Sequence, residues 1–309
     1  MKVLRWGRSA YETDEALALE VAGLSALGCE VAHHAGRTLP ETDAQVLVTT
    51  SKVQVDAAAL SRAPNLALVL TTTSGHEHLD GAAAKARGVA LARSPLARRD
   101  AVVDTALAMG LSLLRGVPGL QRRAEAGFWA RAELPARRMR LIRGLKVGVV
   151  GYGVIGRAAV AAWSALGASV SWSDPAVDEP GGLSWERLRA ESELITLHCS
   201  LTKSSRGMVD AAALAAMRPG AILLNTARGG LVELEALATC THLGGVGLDV
   251  FPQEPPPGLA GLAGRENTLI LPHAAGYHEG LGEAVAREVV ETVRAWISGE
   301  GLPHPVGGR

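Results

Sequence analysis

Three side chains in the second half of the sequence have the types and settings to do chemistry together. Arg228 lies in AILLNTARGGLVE, Glu254 in GLDVFPQEPPPGL and His273 in TLILPHAAGYHEG. A guanidinium can hold a carboxylate through two parallel hydrogen bonds and polarise a neighbouring carbonyl. An imidazole can take or give a proton near neutral pH, and a carboxylate beside it orients the ring and favours its charged form. Each residue alone has a plainer explanation: a turn arginine before Gly-Gly, a structural histidine after proline, a solvated glutamate. What favours chemistry is their joint placement, because each sits where an apolar run ends. Pro252, Pro255, Pro256 and Pro257 fix the backbone around Glu254 and donate no amide hydrogen bonds, which suits a carboxylate that must be held still.

The runs that carry these residues belong to a repeating strand and helix pattern. In the first hundred residues QVLVTT (45–50), LALVLTTT (66–73) and GVALARS (88–94) read as short strands between alanine-rich helical stretches. Residues 100–115 form a clean helical pattern, followed by a less regular arm at 118–144 that contains Phe128 and Trp129. The alternation then restarts with LKVGVV, SVSWSD, ELITLHC, AILLNT, GVGLDVF and TLILPH, six strand candidates that describe a doubly wound parallel sheet. The tail from Glu279 to Gly299 is again an amphipathic helix.

The strongest local signal is LKVGVVGYGVIGRAAVAAWSALGASVSWSDP. A strand runs into Gly151, Gly153 and Gly156 at G-x-G-x-x-G spacing, and a helix follows. The first glycine permits the tight turn, the second lets a pyrophosphate approach the backbone, and the third lets the helix pack closely. The helix start then offers free amides and the positive end of its dipole to the phosphates. The next strand ends in Asp174, an acid placed to accept hydrogen bonds from the adenosine ribose and to repel a 2′-phosphate. No Lys or Arg lies in SDPAVDEP to reverse that preference, so the expected cofactor is NAD.

With these segments in place the chain resembles the D-isomer-specific 2-hydroxyacid dehydrogenases over nearly its whole length. VGVVGYGVIG, ITLHCSLTKSSRGMV, MRPGAILLNTARGGLV, GLDVFPQEP and LPHAAG look like that family's successive signatures, in order. The resemblance implies that Arg228, Glu254 and His273 are the catalytic set. It implies NAD contacts at Val154, Ile155, Asp174, Thr226, Ala227 and Asp249, with Gly276 closing the last signature. TTSGHEHLD is similar to the loop whose amides bind the substrate carboxylate, near Ser74, Gly75 and His76. The implied fold is α/β with two doubly wound parallel-sheet domains. A Rossmann NAD-binding domain, 99–277, is inserted into a discontinuous flavodoxin-like substrate-binding domain, 1–98 and 278–309, with substrate in the cleft and a homodimer as the usual assembly.

Four departures bear on function. Ser200 replaces a proline common in the family, and Asp104-Thr105 stands where a Glu-His pair is frequent. The segment between Arg228 and Asp249 is shorter than usual, which puts the register of Glu254 in question. QVLVTTSKVQVD lacks the arginine with which phosphoglycerate-type members hold a phosphate, although Lys52 lies nearby. The favoured activity is therefore interconversion of a small 2-keto acid and its D-2-hydroxy acid, glyoxylate- or hydroxypyruvate-like. The alternatives are a D-3-phosphoglycerate dehydrogenase and a non-catalytic NADH-sensing regulator, the latter opposed by the complete set of three residues and the absence of an appended tail.

Composition excludes other classes. Lys plus Arg and Asp plus Glu each total 31, so no net charge points to nucleic acid or an anionic membrane. Arg137, Arg138, Arg140 and Arg143 cluster, but among acidic and apolar neighbours that read as a solvated helix or arm. Cys29, Cys199 and Cys240 are too far apart for a metal-finger spacing, so no metal is expected. No run has the length of a signal core or membrane helix, and reduced thiols suit a cytoplasmic protein.

Overall fold

The structure, a computed structural model, describes residues 1–258 and 260–307. Leu259, at the end of the proline-rich stretch, and residues 308–309, at the end of the second substrate-domain span, lie outside the described residues. The chain divides into two compact units, Met1–Arg98 with His278–Arg309, and Arg99–Tyr277.

The first unit is built on five parallel strands: β1 (Lys2–Trp6), β2 (Glu30–His34), β3 (Val46–Thr49), β4 (Leu68–Thr71) and β5 (Ala90–Arg93). Their order is β2-β1-β3-β4-β5, the flavodoxin-like arrangement in which the chain winds both ways from β1. VLVT of β3 and LVLT of β4 are buried along their whole length, as expected for strands covered on both faces. The helix Leu281–Ile297 packs beside the helix Asp14–Ala26 and buries Val285, Val289 and Val293 against one face of the sheet. That 17-residue helix thus returns the end of the chain to the unit formed by its beginning.

The helix Leu96–Leu114 carries the chain into the second unit. There six parallel strands follow: β6 (Lys146–Val150), β7 (Ser169–Ser173), β8 (Leu194–Leu197), β9 (Ile222–Asn225), β10 (Gly245–Leu248) and β11 (Thr268–Ile270). Their order is β11-β10-β9-β8-β6-β7. The winding direction reverses between β6 and β8, and ligands of such sheets bind beyond the strand ends at that point. The shortened segment before Asp249 costs β10 no register, since Gly245 to Leu248 pair with Ile222 to Asn225 in sequence.

Two strands, β1 and β2, escape the sequence reading. KVLRW hides Arg5 in the interior, at 1% exposure, and EVAHH is a largely exposed edge strand. Neither therefore shows the apolar run or clean alternation that marks a strand. Two arginines of the arm are tied down, while Arg138 and Arg143 are exposed. Arg137 pairs with Glu133 at 2.9 Å and Glu266 at 2.7 Å, and Arg140 donates to the Gly220 carbonyl at 2.9 Å. Among the described residues, no single helix is long and apolar enough to cross a membrane.

Candidate active site

The nucleotide turn follows β6. Gly151 has φ +92°, and a Cβ there would stand 2.6 Å from the Cys199 amide nitrogen, so only glycine fits both the conformation and the space. A Cβ on Gly156 would meet the Gly151 carbonyl oxygen at 1.8 Å, so glycine lets the first turn of the helix Val154–Ala165 lie against the loop. At Gly153, in contrast, a Cβ would meet nothing within 4 Å. Gly153 is also the N-cap and has no side chain to satisfy the first amides of the helix, which include those of Val154 and Ile155. Asp174 follows β7, with Oδ2 accepting from the Tyr152 amide at 2.8 Å and Oδ1 from the Ala176 amide at 2.9 Å.

β9 delivers the arginine. The buried Asn225 clamps the turn after it, accepting from the Ala227 amide at 3.1 Å and donating to the Arg228 carbonyl at 2.9 Å. Gly229 lets this turn approach the neighbouring segment, because a Cβ there would lie 1.9 Å from the Phe251 carbonyl carbon. Arg228 is half-buried, and its Nη1 donates to the Ala227 carbonyl at 2.6 Å. Thr226 is 7% exposed, and its Oγ1 has no partner among the described residues.

Glu254 and His273 meet. Oε2 of Glu254 stands 2.7 Å from Nδ1 of His273, while Oε1 accepts the Phe251 amide at 3.0 Å. The carboxylate is thus fixed by its own loop through one oxygen and presents the other to the imidazole. The Glu254–Pro255 peptide is cis. The two side chains are 37% and 54% exposed. A pair this open to water adds at most about 1 kcal/mol to stability, so what it provides is orientation.

His273 has φ 55°, the one positive φ of a non-glycine among the described residues. Such a backbone costs on the order of 1–3 kcal/mol and persists only where its surroundings hold it. Asp249, 1% exposed, supplies that hold. Its carbonyl accepts the His273 amide at 2.8 Å, Oδ1 accepts Ala274 at 2.7 Å, and Oδ2 accepts Ala275 at 3.0 Å. Asp249, expected among the NAD contacts, therefore turns both carboxylate oxygens to the histidine loop. Thr105, from the helix Leu96–Leu114, adds a bond to the Ala275 carbonyl at 3.3 Å. Gly276 lies in the same turn, which the Tyr277 amide closes on Ala274 at 2.9 Å.

The remaining expected residues belong to the first unit. Ser74, Gly75 and His76 follow β4, in a loop whose carbonyls are taken by donors: Arg98 at Thr72 (2.7 Å), Arg93 at Ser74 (3.3 Å) and the Thr73 hydroxyl at Gly75 (2.7 Å). One element of the second unit carries no assignment from sequence. His198 and Cys199, beyond β8, pack under the Gly151 turn. Burial pushes the imidazole down to about 4 and the thiol up to about 11, so both are neutral near pH 7. The available signal was positional, since β8 ends at the same sheet edge as β6.

Comparison with known proteins turns this geometry into a family assignment. Residues 107–275 match the family model described as D-isomer specific 2-hydroxyacid dehydrogenase, NAD binding domain. The chain belongs to this dehydrogenase family. The cofactor is NAD, and the residues present fit it: uncapped amides at a helix start, open space at Gly153 and the unpartnered Thr226 hydroxyl. Among relatives of this chain, the D-3-phosphoglycerate dehydrogenase of Mycobacterium leprae is 33% identical over 87% of this chain and 52% of its own length. The chain thus spans about half of that relative. The glyoxylate reductase of Thermococcus litoralis is 30% identical over 86% of this chain and 84% of its own. The crystal structure of the TT0316 protein from Thermus thermophilus superposes with a TM-score of 0.79 at 32% identity, covering 99% of this chain and all of that one.

Proposed function

We propose that this dehydrogenase interconverts a small 2-keto acid and its D-2-hydroxy acid, with a glyoxylate- or hydroxypyruvate-like acid as substrate. The observation that carries the reading is the 2.7 Å contact of Glu254 with His273, whose positive-φ backbone Asp249 holds in place. Bound NADH supplies the hydride for reduction. In this reading His273 gives the proton to the substrate oxygen, and Glu254 orients the ring and balances its charge. Arg228 clamps the carboxylate and polarises the keto oxygen, while the amides of Ser74, Gly75 and His76 are the proposed further carboxylate ligands. Gly151, Gly153, Val154, Ile155, Gly156, Asp174, Thr226, Ala227, Asp249 and Gly276 are the proposed NAD contacts.

A 3-phosphoglycerate dehydrogenase is the second reading, supported by the identity to the mycobacterial relative. Against it stands the segment around β3, which offers Lys52 but no arginine for a phosphate. The exposed Trp129 (88%), Leu141 (72%) and Phe128 (56%) of the arm support a homodimer joined there. The three unpaired cysteines suit a reducing, cytoplasmic setting. The test is NADH oxidation across a panel containing glyoxylate, hydroxypyruvate, pyruvate and 3-phosphohydroxypyruvate. Turnover on the first two supports the reading, preference for the phosphorylated acid replaces it with the second, and silence on all four with NADH still bound points to a sensor.

A further inference from the structure

SDPAVDEP after β7 contains no cation, yet the fold brings one to it from another element. Arg157 lies early in the helix Val154–Ala165, and its guanidinium carbon stands 4.1 Å from the centre of the Tyr152 ring. Tyr152 in turn stacks on Trp172 of β7, with centroids 4.0 Å apart and planes within 6°. The amide of the same Tyr152 donates to Asp174 Oδ2 at 2.8 Å. One aromatic residue of the nucleotide turn therefore ties the guanidinium to the acid placed to meet the adenosine ribose.

Glu179 occupies that guanidinium. Its Oε2 accepts from Arg157 Nη1 at 2.9 Å, and its Oε1 accepts from Nη2, a two-pronged contact. Glu179 belongs to the loop that Asp174 opens, and the Leu183 amide closes this loop on the Trp172 carbonyl at 2.8 Å. The two side chains are 43% and 45% exposed, so water screens the pair and it does little for stability. The same exposure leaves the guanidinium within reach of a ligand from solvent. An arginine near the acid that ends the second strand is what a dinucleotide site uses to take a 2′-phosphate, again with two prongs.

We propose that Glu179 is a second residue selecting NAD over NADP: by filling both prongs of Arg157, it withholds the cation that would receive a 2′-phosphate. Asp174 repels that phosphate directly, and Glu179 removes its partner. The proposal rests on the NAD assignment. It is tested with the full chain by titrating NADH and NADPH, followed by their own fluorescence, into wild type, Glu179→Gln, Arg157→Leu and the double variant. In Glu179→Gln the ratio of the NADPH to the NADH dissociation constant should fall about tenfold, as expected when the freed guanidinium forms one charge-assisted hydrogen bond to the 2′-phosphate. Adding Arg157→Leu should restore the wild-type ratio, and Arg157→Lys with Glu179→Gln should keep only part of the effect. Glu179→Ala provides a second route should the first variant melt early. A ratio within twofold of wild type in both Glu179 variants overturns the proposal. So does an improvement that survives Arg157→Leu, since net charge would then explain it. Wild type that binds no NADH would instead overturn the cofactor assignment, and the proposal with it.

Discussion

In the first unit Arg5, Glu12 and Glu20 meet in the interior, each 1% exposed, whereas in the second unit His273 and Glu254 meet with about half and a third of their side chains in water. Arg5 Nη2 donates to Glu12 Oε1, Arg5 Nε lies 3.4 Å from Glu20 Oε1, and Glu12 Oε2 accepts the Ser9 amide. Two acids against one guanidinium leave a surplus carboxyl, and burial raises the Glu20 pKa to about 7, with Arg5 opposing and Glu12 adding to the rise. The exposed pair is held through backbone instead: the Phe251 amide fixes the acid and Asp249 fixes the histidine loop. Placing the rigidity in the backbone leaves the two side chains open to solvent, which is the arrangement the proposed proton transfer requires and the buried cluster lacks.

The sharpest way to break this contrast is His273→Ala. Loss of a positioned proton donor should lower turnover on the active 2-keto acid by about 10³- to 10⁴-fold. NADH affinity and melting temperature should stay near wild type, because the ring is exposed and its loop is held through Asp249. A variant with wild-type turnover would remove His273 from the chemistry. One that melts far earlier would place the pair with the buried cluster.

The features legible in sequence are those whose physics is local. The glycine turn, the helix it opens and Asp174 lie in one stretch of 24 residues from Gly151 to Asp174, and Gly151 and Gly156 have steric reasons that the spacing suggests. Arg228, Glu254 and His273 stand out in the sequence only as a set, through the rule that strand ends of one parallel sheet converge, and of the three the structure joins Glu254 to His273. The hidden features depend on pairs distant in sequence. Nothing beside Arg5 in sequence marks it as buried, because its partners Glu12 and Glu20 lie 7 and 15 positions on. Arg157 likewise meets its partner Glu179 22 positions on. The hold of Asp249 on the histidine loop was hidden for the same reason, since its amide partners lie 25 and 26 residues away.

The buried cluster makes the next prediction, and its sign follows from linkage. Glu20 binds its proton up to about pH 7 in the folded protein but only to about 4.5 in the unfolded chain. Between those values the folded state holds more protons, so stability is fullest below about pH 4.5 as far as Glu20 is concerned and falls as pH rises through 7. The full change is on the order of 3 kcal/mol. Urea unfolding of the first unit, followed between pH 5 and 8, should show this decline in wild type and a much flatter profile in Glu20→Gln. Equal slopes in the two proteins would mean that another group carries the dependence.

Glu254→Gln is a smaller perturbation, because the amide keeps the shape of the carboxylate and can still accept from Phe251. What is lost is the negative charge facing the imidazole and the acceptor that sets the ring's hydrogen bond. Turnover should fall about 100-fold, at the low end for a disturbed acid–base group. The Michaelis constant for the keto acid should change little, since in this reading substrate binding belongs to Arg228 and the Ser74 loop. Stability should move by less than about 0.5 kcal/mol, as for an exposed pair. A split of kcat without KM, at constant melting temperature, is what a positioning carboxylate gives and what a structural one does not. If Glu254→Gln instead melted early and kept its turnover, the exposed pair would be a scaffold contact, and the source of proton transfer would have to be sought elsewhere along the sheet edge.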